Sequence, residues 1–117
     1  MGGKVETGKV ENAVENAAVP YRSFGAFYPF YLSQHADRTC RRLHFLGTTL
    51  GLAALIVAFV TLNFWWLLAG LVAGYAAAWV GHFFFEKNRP GTFTYPLYSF
   101  YGDWVMWRDM LTGRIKF

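Results

Sequence analysis

Three imidazoles, His35, His44 and His82, are the side chains of this 117-residue chain best suited to chemistry at neutral pH. Glu86 follows His82 by four residues, so on an α-helix it would share the face of that imidazole. Two or three imidazoles with a carboxylate and an open position make the ligand set of non-haem iron oxygenases, and zinc accepts the same set. In such a set Glu86 is the candidate catalytic carboxylate, either binding the metal or accepting an imidazole N–H. The competing reading is structural, because histidines near a membrane surface also hydrogen-bond carbonyls and headgroups. No H-E-x-x-H spacing, serine–histidine–acid pattern, phosphate-cradling glycine loop or C-x-x-C occurs. Tyr75 and Trp79, at i and i+4, read as helix packing.

The elements that must position these residues follow from composition. Hydrophobic residues make up 55% and charged residues 15%, against about 25% charged in soluble domains. A soluble domain this small has too little interior to hide that much apolar area. Disorder over most of the chain, a disulfide scaffold and an ordinary water-soluble enzyme are thereby excluded. From Leu43 to Phe85 no Asp, Glu, Lys or Arg occurs. One unbroken helix over that stretch would be roughly 64 Å long, twice the roughly 30 Å hydrocarbon core, so the segment must fold back. Thr61-Leu62-Asn63 is the polar interruption near its middle, which predicts transmembrane helices over about 43–62 and 64–85. Trp65 and Trp66 suit the far interface.

Asn63 stands midway between His44 and His82, so an antiparallel hairpin returns both imidazoles to one depth near the cytoplasmic rim. Ionisable groups in membrane helices are functional candidates by default. A helix is expected to begin near Pro29 or Ser33 and to run on through the arginines. His35 stands nine residues before His44, about 2.5 turns, so on one unbroken helix the two would point apart. His35 joins the pair only if the chain bends between Ser33 and Leu43 or if it comes from a separate short helix.

Each transmembrane helix carries a Gly-x-x-x-Gly spacing, Gly47/Gly51 and Gly70/Gly74, with Gly51 and Gly74 at similar distances from Asn63. Small residues let helix backbones approach closely in lipid, either within the hairpin or between chains as a homo-oligomer. Leu97, Phe100, Trp104, Trp107 and Leu111 lie on one helical face, predicting an interfacial helix over about 96–112. The aromatic run from Tyr21 to Tyr31 is expected at headgroup level. Residues 1–20 read as a mobile polar tail and 21–117 as a single membrane domain. The expected fold class is all-α: a membrane hairpin of two transmembrane helices flanked by interfacial helices.

The net charge of +4 is modest and its carriers scattered, so nucleic acid is not an expected partner. Arg38, Arg41 and Arg42 precede the apolar stretch, and Lys87 and Arg89 follow it. Basic flanks mark the cytoplasmic side and meet anionic lipid headgroups. Both termini are therefore expected in the cytoplasm of a multi-pass protein, in a bacterial inner membrane, or in the endoplasmic reticulum of a eukaryote. Cys40 has no partner, which suits a reducing compartment. The beginning of the chain has no apolar signal-peptide region, and Glu6 stands where myristoylation wants Ser or Thr.

The stretches Tyr31-Leu-Ser-Gln-His35, Leu43-His44-Phe-Leu-Gly47-Thr and Trp79-Val-Gly-His82-Phe-Phe-Phe-Glu86-Lys-Asn-Arg-Pro90 resemble the fungal 2-hydroxy-palmitate dioxygenase-like family over about residues 24–110. The resemblance implies a membrane enzyme that uses Fe(II) and O2 to shorten long-chain 2-hydroxy fatty acids by one carbon. It makes His35, His44 and His82 candidate iron ligands and aligns Glu86 with the acidic position of the last run. The fungal proteins are longer and bring a further histidine; here Glu86, Asp37 or water would complete the ligand shell. In this reading Arg38, Arg41 and Arg42 receive the substrate carboxylate, although the same arginines would anchor any hairpin in its membrane. Two further readings stand beside it: a non-enzymatic hairpin that oligomerises or docks a partner, and a lipid-binding chaperone that holds the acid without consuming O2.

Overall fold

The computed structural model describes residues 21–117. The tail expected over residues 1–20 lies outside the described residues. Among the described residues there are four α-helices and no strands: α1 (Phe24–Ser33), α2 (Arg38–Thr61), α3 (Trp65–Val80) and α4 (Pro96–Leu111). A π-helical segment, Gly81–Glu86, prolongs α3, and a 3₁₀ turn, Gly91–Phe93, precedes α4.

The expected continuous entry into α2 is broken. The Ser23 side chain caps α1 by accepting from the Ala26 N–H at 3.1 Å. The helix ends at Ser33, and the Asp37 side chain caps a new one by accepting from the Cys40 N–H at 2.9 Å. An aspartate oxygen satisfying the free amides of a first turn is a strong start signal. The four residues between the helices, 34–37, therefore form the bend that His35 needs.

Helix α2 is 24 residues long, and α3 with its π segment is 22; both are long and apolar enough to cross a membrane. They are joined at Leu62, which takes a left-handed conformation (φ 56°), and Asn63 Oδ1 accepts from the Trp65 N–H at 3.2 Å. Ile56, Phe59 and Val60 of α2 and Leu68 and Val72 of α3 point outward and are exposed, as a lipid-facing surface requires.

The glycines meet within the one hairpin, and their register is Gly47 with Gly74 and Gly51 with Gly70, not Gly51 with Gly74. A Cβ at Gly47 would stand 2.8 Å from the Gly74 carbonyl oxygen, and one at Gly70 would stand 2.7 Å from the Ala54 Cβ. The surfaces expected to serve homo-oligomerisation are thus already engaged inside the chain.

The aromatic run does not form a headgroup belt throughout. Phe27 and Tyr31 of α1 are buried with Tyr95, Met106 and Met110 in one hydrophobic cluster. The reason lies in α4, whose stripe is exposed at its ends, Leu97 at 82% and Leu111 at 60%, and packs on α2 at Trp107, which donates to Thr49 Oγ1 at 3.0 Å. The opposite face of α4, with Ser99, Gly102, Met106 and Asp109, is buried, and the α1 aromatics cover that face. Gly102 admits the Tyr31 ring, for a Cβ there would stand 2.9 Å from it.

Candidate metal centre

The three histidines come from three different elements. His35 hangs in the break after α1, His44 lies on α2, and His82 lies on the π segment. They are 2%, 5% and 2% exposed. His44 Nε2 lies 3.2 Å from His35 Nε2 and 2.9 Å from His82 Nε2. The three ring planes stand at 74–84° to one another, and one ligand atom from each ring lies within 4.8 Å of the others.

The opposite ring nitrogens decide the tautomers. His35 Nδ1 faces the Tyr31 carbonyl oxygen at 2.6 Å, His44 Nδ1 faces an Asp103 carboxylate oxygen at 3.3 Å, and His82 Nδ1 faces Asn88 Oδ1 at 2.7 Å. The Asn88 amide is itself oriented, because Nδ2 donates to the Gln34 carbonyl at 3.0 Å. All three partners are acceptors, so each Nδ1 carries the proton and each Nε2 presents a bare lone pair. Three such lone pairs turned on one another in a buried site repel unless a cation lies between them. Two nitrogens each about 2.1 Å from a common ion and roughly at right angles would stand about 3 Å apart, matching the two separations above. The donor set fits a divalent transition metal.

Tyr31 braces the centre three ways. Its carbonyl accepts from His35, its ring stacks on that imidazole at 4.0 Å, and its hydroxyl donates to Asp103. Burial, followed by the Asp103 charge, pushes the phenol well above its ordinary pKa, so it stays a donor. Burial, and then the neighbouring His44 and His82, hold His35 well below the usual imidazole value, so it is neutral and ready to bind a metal at pH 7. A cavity of about 10 Å³ adjoins the rings and is lined also by Ser99 and Asp103. It is about the size of one water molecule. The Ser99 hydroxyl, on a residue only 5% exposed, has no hydrogen-bond partner.

The other expected site residues are placed differently. Glu86 does not accept from His82; Asn88 does. The left-handed Lys87 (φ 63°) then turns the chain so that Asn88 returns to His82, and the Asn88 N–H also donates to the His82 carbonyl at 3.0 Å. Glu86 Oε1 instead accepts from the Asp37 N–H at 2.6 Å, tying the π segment to the start of α2. Arg41 Nη1 donates to the carbonyls of His35 at 3.1 Å and Ala36 at 2.8 Å, and so props the loop that carries a candidate ligand. Arg42 Nε donates to the Phe117 carbonyl at 3.1 Å. Arg38 is exposed.

Tyr31, Asn88, Ser99 and Asp103 are the site residues that sequence reasoning passed over. A signal existed for two of them. Asn88 lies inside the run from Trp79 to Pro90, and Asp103 is one of two acids on a largely apolar helix, where a carboxylate calls for a partner.

No curated protein matches this chain at a significant level, and no solved structure does. The profile of one family, described as 2-hydroxy-palmitic acid dioxygenase Mpo1-like, matches residues 21–115. That span takes in all three histidines and every residue that braces them, and the chain belongs to the 2-hydroxy-palmitic acid dioxygenase Mpo1-like family.

Proposed function

We propose that this protein is a membrane-bound, Fe(II)-dependent dioxygenase that shortens long-chain 2-hydroxy fatty acids by one carbon. The observation that carries this reading is the convergence of three buried imidazoles, with His44 Nε2 at 3.2 Å from His35 Nε2 and 2.9 Å from His82 Nε2, in a chain whose family is described as a dioxygenase. His35, His44 and His82 would hold the ion. Ferrous iron, when bound, supplies the binding and reduction of O2, which zinc, having no redox chemistry, would not.

The chain's own residues do the rest. Tyr31, Asp103 and Asn88 hold the imidazole protons on Nδ1 and keep the rings aimed. The small cavity beside Ser99, of about 10 Å³, has room for one small molecule. A fatty acid in a bilayer keeps its carboxylate at the headgroup plane and its tail in lipid. Arg38 is the arginine we assign to that carboxylate, since Arg41 and Arg42 already donate to backbone carbonyls. Glu86 enters as a brace for the break between α1 and α2. The basic flanks argue for a hairpin with both ends on the cytoplasmic face.

The test is metal content and oxygen uptake. Purified protein is expected to carry stoichiometric iron, to consume O2 with 2-hydroxypalmitate, and to release an acid one carbon shorter. His44→Ala and His82→Ala should lose both the metal and the uptake. A chain that binds no iron after anaerobic reconstitution is no oxygenase, and would stand as a scaffold or lipid-binding hairpin.

A further inference from the structure

A second cavity, of about 290 Å³, runs along the hairpin beside the line of paired glycines. Gly47, Gly51, Gly70 and Gly74 form part of its wall, and Phe100 and Trp104 of α4 line it too. Apart from Thr48, its polar lining gathers at one end, where His44, Tyr75 and Asp103 stand. Those three residues and Ala78 also line the small chamber that holds the histidines and the unpartnered Ser99 hydroxyl. The groove therefore lies directly beside the candidate metal centre and shares a wall with it. From His44 it reaches Leu55, a distance of about 16 Å along α2 at the rise of an α-helix. Spread over that length, the volume is the width of one hydrocarbon chain and far short of a helix about 10–12 Å across.

We propose that this groove is the channel for the tail of a single acyl chain, with Leu55 and Leu67 at its far end setting the chain length accepted. The proposal rests on the fatty-acid reading of the metal centre and names the residues that would hold the substrate. An occupant must bring a polar group to the His44 end and hydrocarbon to everything beyond, which is the pattern of a long-chain acid and not of a second hairpin. The direction also agrees with the bilayer: the groove descends from the rim histidines towards the Leu62 turn, as a tail descends from its headgroup.

The experiment is photolabelling of the full-length, metal-free chain in detergent micelles, using 2-hydroxypalmitate with a mid-chain diazirine and mapping the labelled peptides. The expected result is saturable labelling at Leu55, Leu67 or Leu71 that excess unlabelled 2-hydroxypalmitate displaces. Gly51→Leu should reduce it about tenfold or more, the scale on which an altered apolar pocket discriminates. A side chain can begin at that position, because a Cβ on Gly51 meets only the Gly70 carbonyl oxygen at 4.0 Å. Leu71→Trp, which fills the groove from α3 without touching a glycine contact, should act alike, and Leu55→Ala should shift competition towards longer acids. Non-saturable label on the outward-facing Ile56, Phe59 and Val72 would mean that the groove sees only bulk lipid. Groove label indifferent to both filling substitutions would also overturn the proposal. Because labelling needs no turnover, a chain that labels as expected but consumes no O2 keeps the channel and loses only the oxygenase reading. An active chain without groove labelling does the reverse.

Discussion

The Tyr31 hydroxyl donates to Asp103, a residue 72 positions later in the chain, and the same carboxylate lies 3.3 Å from His44 Nδ1. One aspartate on α4 thus joins α1 to α2 at the point where the imidazoles meet. The metal centre is held from outside the hairpin as well as from within it.

Asp103→Asn should weaken metal binding about 10- to 100-fold, the usual effect of losing the outer partner of a ligating histidine. The amide can still face His44 but can present its NH₂ group there, and it removes the negative charge. Tyr31→Phe should have the smaller effect, because it leaves both the His35 contact with the Tyr31 carbonyl and the carboxylate in place. Competition against a chromophoric chelator measures both, and equal affinities in wild type and Asp103→Asn would count against the bracing role.

Metal should stabilise the fold. At a free ion concentration about 100 times Kd, binding to the folded state alone adds about 2.7 kcal/mol. Anaerobic Fe(II) should raise Tm, a chelator should lower it, and His82→Ala should abolish the difference. A Tm indifferent to both additions would mean that the imidazole cluster is structural.

The two bracing phenols make an alkaline prediction. Tyr28 donates to Asp109 at 2.7 Å, and burial together with that carboxylate raises its pKa, as burial and Asp103 raise that of Tyr31. A folded-state pKa above the unfolded value means that the stabilisation is complete below about pH 10 and is lost as pH rises from there towards the folded value. Absorbance at the phenolate band should show two tyrosines that ionise only on unfolding, and Tyr28→Phe should remove one of them.

Gly47→Ala should be costly and Gly51→Ala mild. The first puts a methyl 2.8 Å from the Gly74 carbonyl oxygen, and the second meets nothing closer than 4.0 Å. Forcing the backbones apart should cost about 1–3 kcal/mol, the usual scale of overpacking. Unfolding in mixed micelles compares the two variants, and equal costs would place the close helix contact elsewhere.

Ser99→Ala should leave stability unchanged or raise it, since the hydroxyl it removes is buried without a partner. Gly91→Ala should destabilise, because its Cβ would stand 2.5 Å from Ser99 Oγ. In the double variant that cost should shrink, because the clashing oxygen is gone. A double variant as unstable as Gly91→Ala alone would show that the strain lies in the backbone and not in that contact.

The sequence by itself determined the membrane hairpin, its turn at Asn63 and the common depth of His44 and His82. Hydrocarbon thickness and the 1.5 Å rise of a helix leave a long uncharged segment with one midpoint break little other choice. The periodicity of α4 was likewise legible, because an apolar stripe on a helix is a local property. What only the tertiary structure decided was the break that frees His35, the exchange of Glu86 for Asn88 beside His82, and the recruitment of Asp103. Each turns on a competition that spacing does not encode. At Asp37 a side-chain cap prevailed over helix continuation, and at Lys87 a left-handed residue turned the chain so that Asn88 meets His82 while Glu86 accepts from the Asp37 N–H. At Asp103 the partners, Tyr31 of α1 and His44 of α2, come from elements far away in sequence. Local periodicity places side chains relative to their own helix axis, and a metal centre depends on where three such axes stand relative to one another.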